Sequence, residues 1–251
     1  MSGYSNSWTD FPDYIIGITK EIWEDRGIET LNRYYAPDIP VRSPMGIQRG
    51  NQAVIAATMA TCHEFPDRQL FAEDVIFSDD PQHGHLSSHR LLTVATHGAD
   101  GQFGPATGKK WVIRVIADCA AKGDQIYDEW LVRDYGGMVR QMGFEPREFA
   151  AQVIADEGGV ASASRPFVPA SDVDGGYHGR GNDNPWGARY AGMLTRIMDK
   201  DFNHIQTEYD RAVIGEYAGA KNVIGREGVT AFWLGLRSAF PDATFTIHHQ
   251  I

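Results

Sequence analysis

Between Ser87 and Asp134 the chain sets His89, Arg90, His97, Arg114, Asp118, Glu129 and Asp134 into segments whose apolar residues alternate with a period of two. Carboxylate, imidazole and guanidinium groups on strands can move protons and hold oxyanions if they face an enclosed pocket. If they face water, they are a solvated sheet surface. Asp118 is the first candidate. On the strand from Trp111, one face carries Trp111, Ile113, Val115, Ala117 and Cys119, and the other carries Val112, Arg114, Ile116, Asp118 and Ala120. Both faces are largely apolar, as in a strand covered on both sides. A carboxylate there is poorly solvated, which raises its pKa and suits a general acid/base. The competing reading is a buried ion pair of Asp118 with Arg114 or Arg90. His97 and His89 share one face of the preceding strand and Arg90 takes the other, so each histidine is either a satisfied core residue or a substrate contact. Glu129 with His89 is the pair a water-positioning hydrolase would need.

Two other motifs are weaker. "HGHLSSHR" brings His83, His85 and His89 close in sequence, but no zinc-type cysteine pair or HExxH accompanies them, and no metal is expected. "GADGQFGPATG" is glycine-rich without P-loop or dinucleotide spacing, and it joins strand to strand.

The elements that must position these residues can be read from periodicity. "DYIIGITKEIWEDRG" spaces Ile15, Ile18, Ile22 and Trp23 as one face of a helix started by Asp13 and stopped by Gly27. "IETLNRYYAPD" continues as a short helix, "VRSPMGIQRG" as a tight turn or small hairpin around Met45, and "NQAVIAATMATCHEF" as a third helix closed by Pro66. From Gln69 the period changes to two. "QLFAEDVIFSDD", "HLSSHRLLTVATHG", "KKWVIRVIADCAAKG" and "DQIYDEWLVRD" read as four strands, the last two an antiparallel hairpin turned at Gly123-Asp124. "MVRQMGFEPREFAAQVI" is helical again. The fold class is α+β: three helices followed by a run of antiparallel strands.

The chain has 251 residues, 42% of them hydrophobic, and a formal net charge of −10. That charge argues against nucleic acid or an anionic membrane as a partner. The N-terminus has neither a basic start nor an apolar run, and no stretch approaches a membrane span. Cys62 and Cys119 form no CxxC motif, and a reduced cytoplasm is the expected compartment. Residues 156–187, rich in Gly, Ser, Asp and Pro, read as a linker on which Phe167, Tyr177 and Trp186 invite docking.

Beyond that linker the chain repeats its own beginning. Sliding it by the 175 residues that separate Phe65 from Phe240 aligns the two "FPD" triplets without a gap. The same shift pairs Gly17 with Gly192, Ile22 with Ile197, Gly50 with Gly225 and Val54 with Val229. We expect a tandem duplication, with a complete domain over 1–155 and the first part of a second over 188–251. The second copy stops at Ile251 inside its first long strand, which reads as truncation.

"THGADGQFGPATGKKW", followed by "IADCAAKGDQIYDEWLVRD" and helices ending in "FPD", resembles the SnoaL-like polyketide cyclases of the nuclear-transport-factor-like α+β cone superfamily. The resemblance covers about residues 10–145, and 188–251 in part. It implies three helices packed on a curved antiparallel sheet, a cone with an internal pocket, and pairing through the sheet as a homodimer or an intramolecular pseudo-dimer. It also implies a cofactor-independent enzyme. Asp118 would remove a C–H proton beside a carbonyl, and the enolate would close a ring by aldol addition. His97 would hydrogen-bond the substrate oxygen. Trp130, Trp23 and Met45 would be pocket walls, and Asp134 would end its strand. Apart from the resemblance, "SSHR" puts Arg90 beside His89, where an arginine would serve a carboxylate-bearing small substrate rather than a polycyclic one, and Arg114 is a further substrate-binding candidate. The duplication departs from the family's short single-domain pattern. A non-catalytic small-molecule-binding module and a small ester or epoxide hydrolase are the alternatives on the same fold.

Overall fold

Asp10 starts the first helix. Its carboxylate accepts from the Asp13 backbone N–H at 2.8 Å, and Pro12 sits in the first turn, where its missing N–H costs nothing. The cap is therefore Asp10 rather than Asp13. The structure, a computed structural model, describes residues 3–5, 7–177 and 184–250. Helix α1 (Phe11–Thr19) buries Phe11, Tyr14, Ile15 and Ile18 along one face and passes into a π-helical turn, Lys20–Glu24. A 3-10 turn leads into α2 (Leu31–Tyr34). A hairpin of β1 (Pro40–Ser43) and β2 (Gly46–Arg49) then precedes α3 (Asn51–Glu64).

Four long strands come next: β3 (Gln69–Asp80), β4 (Gly84–Thr96), β5 (Lys110–Lys122) and β6 (Gln125–Arg133). The sheet order is β2-β1-β6-β5-β4-β3. Neighbours are antiparallel except β1 and β6, which run parallel. The expected antiparallel sheet is thus mixed by one short edge pairing, because α2 returns the chain beside β6 in the same direction. The expected last helix is two, α4 (Tyr135–Met142) and α5 (Pro146–Asp156), broken at Gly143 with φ +96°. Asp134 caps α4 by accepting from the Gly137 backbone N–H at 2.9 Å.

Residues 157–177 pack back on the sheet. Phe167 hydrogen-bonds the Pro44 carbonyl through its backbone and sets its ring edge-on to Trp130, while Tyr177 is buried against Leu86 and Ala120. Beneath this strap lies a buried ionic cluster. The Arg42 guanidinium donates to Asp128, to Asp172 at 2.5 Å and to the Val173 carbonyl at 2.7 Å, and it stacks over the Trp130 ring. The first unit ends at Tyr177, so most of the expected linker belongs to it.

The second unit, His178–Ile251, contains α6 (Pro185–Met198), α7 (Ile205–Glu208), a hairpin of β7 (Ile214–Tyr217) and β8 (Lys221–Ile224), and α8 (Gly225–Ala239). Its core is Met193, Ile197, Ile205 and Val229. No described helix is long and apolar enough to cross a membrane.

Candidate active site

Register decides which face of the sheet looks into the cone. On β5 the pocket takes Trp111, Ile113, Val115, Ala117 and Cys119; on β4 it takes His89, Leu91 and Thr93; on β6, Glu129, Leu131 and Arg133. Ile15, Ile18 and Trp23 wall it from the helical side, and Phe103 closes it from the β4–β5 loop. The cavity is about 90 Å³. A smaller lobe of about 50 Å³ shares Trp23, Tyr35, Arg68, Glu129 and Arg133 with it. The π-helical turn carries Trp23, whose ring nitrogen reaches Thr58 Oγ1 at 3.3 Å.

Glu129 is a carboxyl on this apolar wall. It is buried, and desolvation pushes its pKa up to about 7, against the Tyr35 hydroxyl hydrogen bond and the charge of Arg133. His89 is buried on the next strand but one. Burial lowers its pKa to about 4, so it is a neutral imidazole whose Nε2 has no hydrogen-bond partner among the described residues. Arg68 enters from the turn after α3. Its Nε and Nη2 are buried without partners, and burial, then the neighbouring Arg133, lowers its pKa to about 10.

The remaining candidates lie elsewhere. Asp118 pairs across the strands with Ser88 and Trp130, on the face opposite the pocket. Burial pushes it up to about 6, opposed by a hydrogen bond from Ser88. Desolvation was readable from its apolar neighbours, but the cover is the strap and not the cone. The expected pocket partnership of Asp118 with His97 is absent. His97 is fully buried at the end of β4, with Nδ1 3.2 Å from Thr107 Oγ1 and Nε2 3.2 Å from Glu64 Oε1.

Glu64 is committed to the same loop. It accepts from the backbone N–H groups of Gln102 at 3.0 Å and Phe103 at 2.8 Å, and a Cβ on Gly101 would fall 2.4 Å from its carboxyl carbon. His97 and Glu64 therefore tie down the loop that brings Phe103 over the cavity. Trp130 is an outer-face residue under the strap, since it pairs with Asp118. Arg90 and Arg114 are also on that face, both on Glu73 at 2.9 Å. Met45 is exposed in the β1–β2 turn. Of the residues chosen from sequence, Glu129, His89 and Trp23 line the pocket. Arg68, Tyr35 and Arg133 line it as well. Parity with Glu129 marks Arg133, whereas nothing in the spacing marks Arg68. Among the described residues, no three His, Cys, Asp or Glu side chains gather as a metal site requires.

The family model for the SnoaL-like polyketide cyclases matches residues 14–142, half of the chain. The chain belongs to the SnoaL-like polyketide cyclase family. The matched span runs from α1 to the end of α4 and contains every strand of the cone. Three solved structures are similar to this SnoaL-like chain. IdmH, a polyketide-cyclase candidate of Streptomyces antibioticus, is 22% identical over 53% of this chain and 97% of its own, at a TM-score of 0.46. A polyketide-cyclase candidate from Acidithiobacillus ferrooxidans is 21% identical over 52% and 92%, at 0.46. A SnoaL-like cyclase candidate from Jannaschia sp. CCS1 is 12% identical over 57% and 97%, at 0.48. Comparison with curated proteins finds no match.

Proposed function

We propose that this SnoaL-like chain is a cofactor-independent cyclase or isomerase that removes a proton beside a carbonyl of a small organic substrate, with Glu129 as the acid/base. The observation that carries the reading is a carboxyl near neutrality on an apolar pocket wall. At working pH such a group can both take a proton and return it. Glu129 takes the C–H proton, and the electron pair becomes an enolate. Neutral His89, if it carries its proton on the unpartnered Nε2, donates to the enolate oxygen. In an aldol closure the enolate carbon attacks a second carbonyl, and Glu129 returns its proton to the new alkoxide. The Tyr35 hydrogen bond orients Glu129.

The test is hydrogen–deuterium exchange at the α-carbon of 1-indanone in D2O, followed by NMR. The wild type should accelerate exchange, Glu129→Gln should lose about 100-fold or more, and Asp118→Asn should stay within a few-fold. A Glu129→Gln protein at wild-type rate, or a wild type that does nothing, overturns the assignment. Ester hydrolysis by the wild type would instead favour the hydrolase alternative, which uses the same Glu129 and His89.

We also propose that residues 188–251 are a partial second copy of the domain. Element order supports it: α6, α7, β7, β8 and α8 come in the same succession as α1, α2, β1, β2 and α3. At the same offset, buried Met193, Ile197 and Val229 answer to buried Ile18, Ile22 and Val54. Gly50 and Gly225 both have positive φ, +82° and +71°, at the start of the third helix. Each donates its N–H to a carbonyl just before the hairpin, Ile39 at 2.8 Å and Val213 at 2.7 Å.

A further inference from the structure

A buried guanidinium without a counter-ion is expensive, because desolvation is not repaid by Coulomb attraction or hydrogen bonds. Arg68 is in that position. It is 9% exposed, and two of its guanidinium nitrogens are fully buried and unpartnered. Its nearest charged influences include a second cation, Arg133, also on the pocket wall. Arg133 donates to a neutral partner, the Tyr135 hydroxyl, at 3.2 Å. Neither of the two carboxylates on the wall partners the buried Arg68 nitrogens. Glu64 is taken up by the Gln102 and Phe103 backbone and by His97. Glu129 takes its hydrogen bond from Tyr35, and it loses its charge as the pH falls through about 7. In a chain of net charge −10, a cationic pair left open toward an apolar cavity stands out.

We propose that the pocket holds a small organic carboxylate and that Arg68, helped by Arg133, is its anchor. A guanidinium presents parallel N–H groups that match a carboxylate in two-pronged fashion. The body of the acid lies along the apolar wall of Ile113, Val115 and Leu91, where the cavity of about 90 Å³ suits a small molecule. The sequence points to Arg90 for this role, but Arg90 is on the outer face with Glu73. The anchor rests on the same pocket as the proposed chemistry, though not on Glu129 being the base. It gives the reaction a direction: a bound carboxylate fixes which carbon of a keto acid faces Glu129.

The probes are benzoate and its neutral analogue benzamide, titrated calorimetrically into the full chain. The wild type should prefer benzoate by about 10-fold or more, as expected of a charge-assisted pair. Arg68→Met should erase the preference. Arg68→Lys should keep part of it, because an ammonium supplies charge without the fork. Equal affinity for the two probes in the wild type, or an undiminished preference in Arg68→Met, overturns the anchor. If Arg68→Met does not fold, the wild-type and Arg68→Lys comparisons decide. Glu129→Gln separates the two proposals: it should lose indanone exchange and keep the benzoate preference. A wild type with no exchange but an Arg68-dependent preference overturns the chemistry and supports the anchor.

Discussion

At the scale of single residues, the pocket holds groups in charge states that cost stability, and the signs can be checked. Glu129 moves from 4.5 to about 7 on folding. An acid raised in this way contributes stability that is fully present below its unfolded value and lost as pH rises through the folded one. The loss amounts to about 3 kcal/mol. Asp118, raised from 3.8 to about 6, acts in the same direction over a lower window. His89, lowered from 6.5 to about 4, acts oppositely: its contribution is present above 6.5 and lost as pH falls through about 4. Denaturant melts of the wild type should therefore weaken between pH 5 and 8, and Glu129→Gln should flatten that decline. If Glu129 is the base, kcat/KM should rise with pH to a plateau above about 7. Arg68 gives a second signature. Arg68→Met removes a buried cation whose desolvation no partner repays, so it should raise Tm by a few degrees. A fall in Tm would mark Arg68 as a structural residue.

At the scale of elements, the strap over the outer face accounts for both a stability prediction and a misreading. Arg42 is completely buried, and its charge is matched by Asp128 beneath and Asp172 on the strap. Asp128→Ala strands that cation and should cost ~3–5 kcal/mol. Asp172→Asn, at a partly exposed side chain with Asp128 still in place, should cost about 1 kcal/mol. Chemical denaturation of the two variants checks the order. The strap also sits tightly: a Cβ on Gly176 would lie 2.1 Å from the Tyr127 hydroxyl oxygen. The four long strands and their alternation were legible in the sequence, because a period of two kept over a dozen residues fits a strand and no helix. Which face turned inward was not. Both faces of β5 are apolar, one against the cone and one partly under residues 167–177, and a segment that reads as linker gives no hint of covering a sheet. Asp118 and Trp130 thus carry the composition of pocket residues while facing the strap. The loop 97–109 misled in a similar way: His97 reads as a substrate contact, but its partner Glu64 comes from the end of α3, and no local spacing reveals that pairing.

At the scale of the whole chain, the proposed repeat raises the question of how many sites it carries. The offset of 175 residues that aligns the two "FPD" triplets also says what stands at each pocket position in the second segment. Trp23 is answered by Met198, Tyr35 by Asp210, Glu64 by Ala239 and Arg68 by Ala243. On that reading the apolar residues that make a core are kept, as Met193, Ile197 and Val229 are, while the polar groups that would hold and turn over a substrate are replaced. On the proposed duplication, packing and chemistry have separated: the second segment would keep the helix-and-hairpin scaffold without the cation. The expected stoichiometry is therefore one carboxylate per chain. Calorimetric titration with benzoate should saturate at one equivalent, and Arg68→Met should remove that single binding event. A second equivalent of comparable affinity, or one surviving in Arg68→Met, would show that Ala243 and its neighbours do not mark the absence of a site.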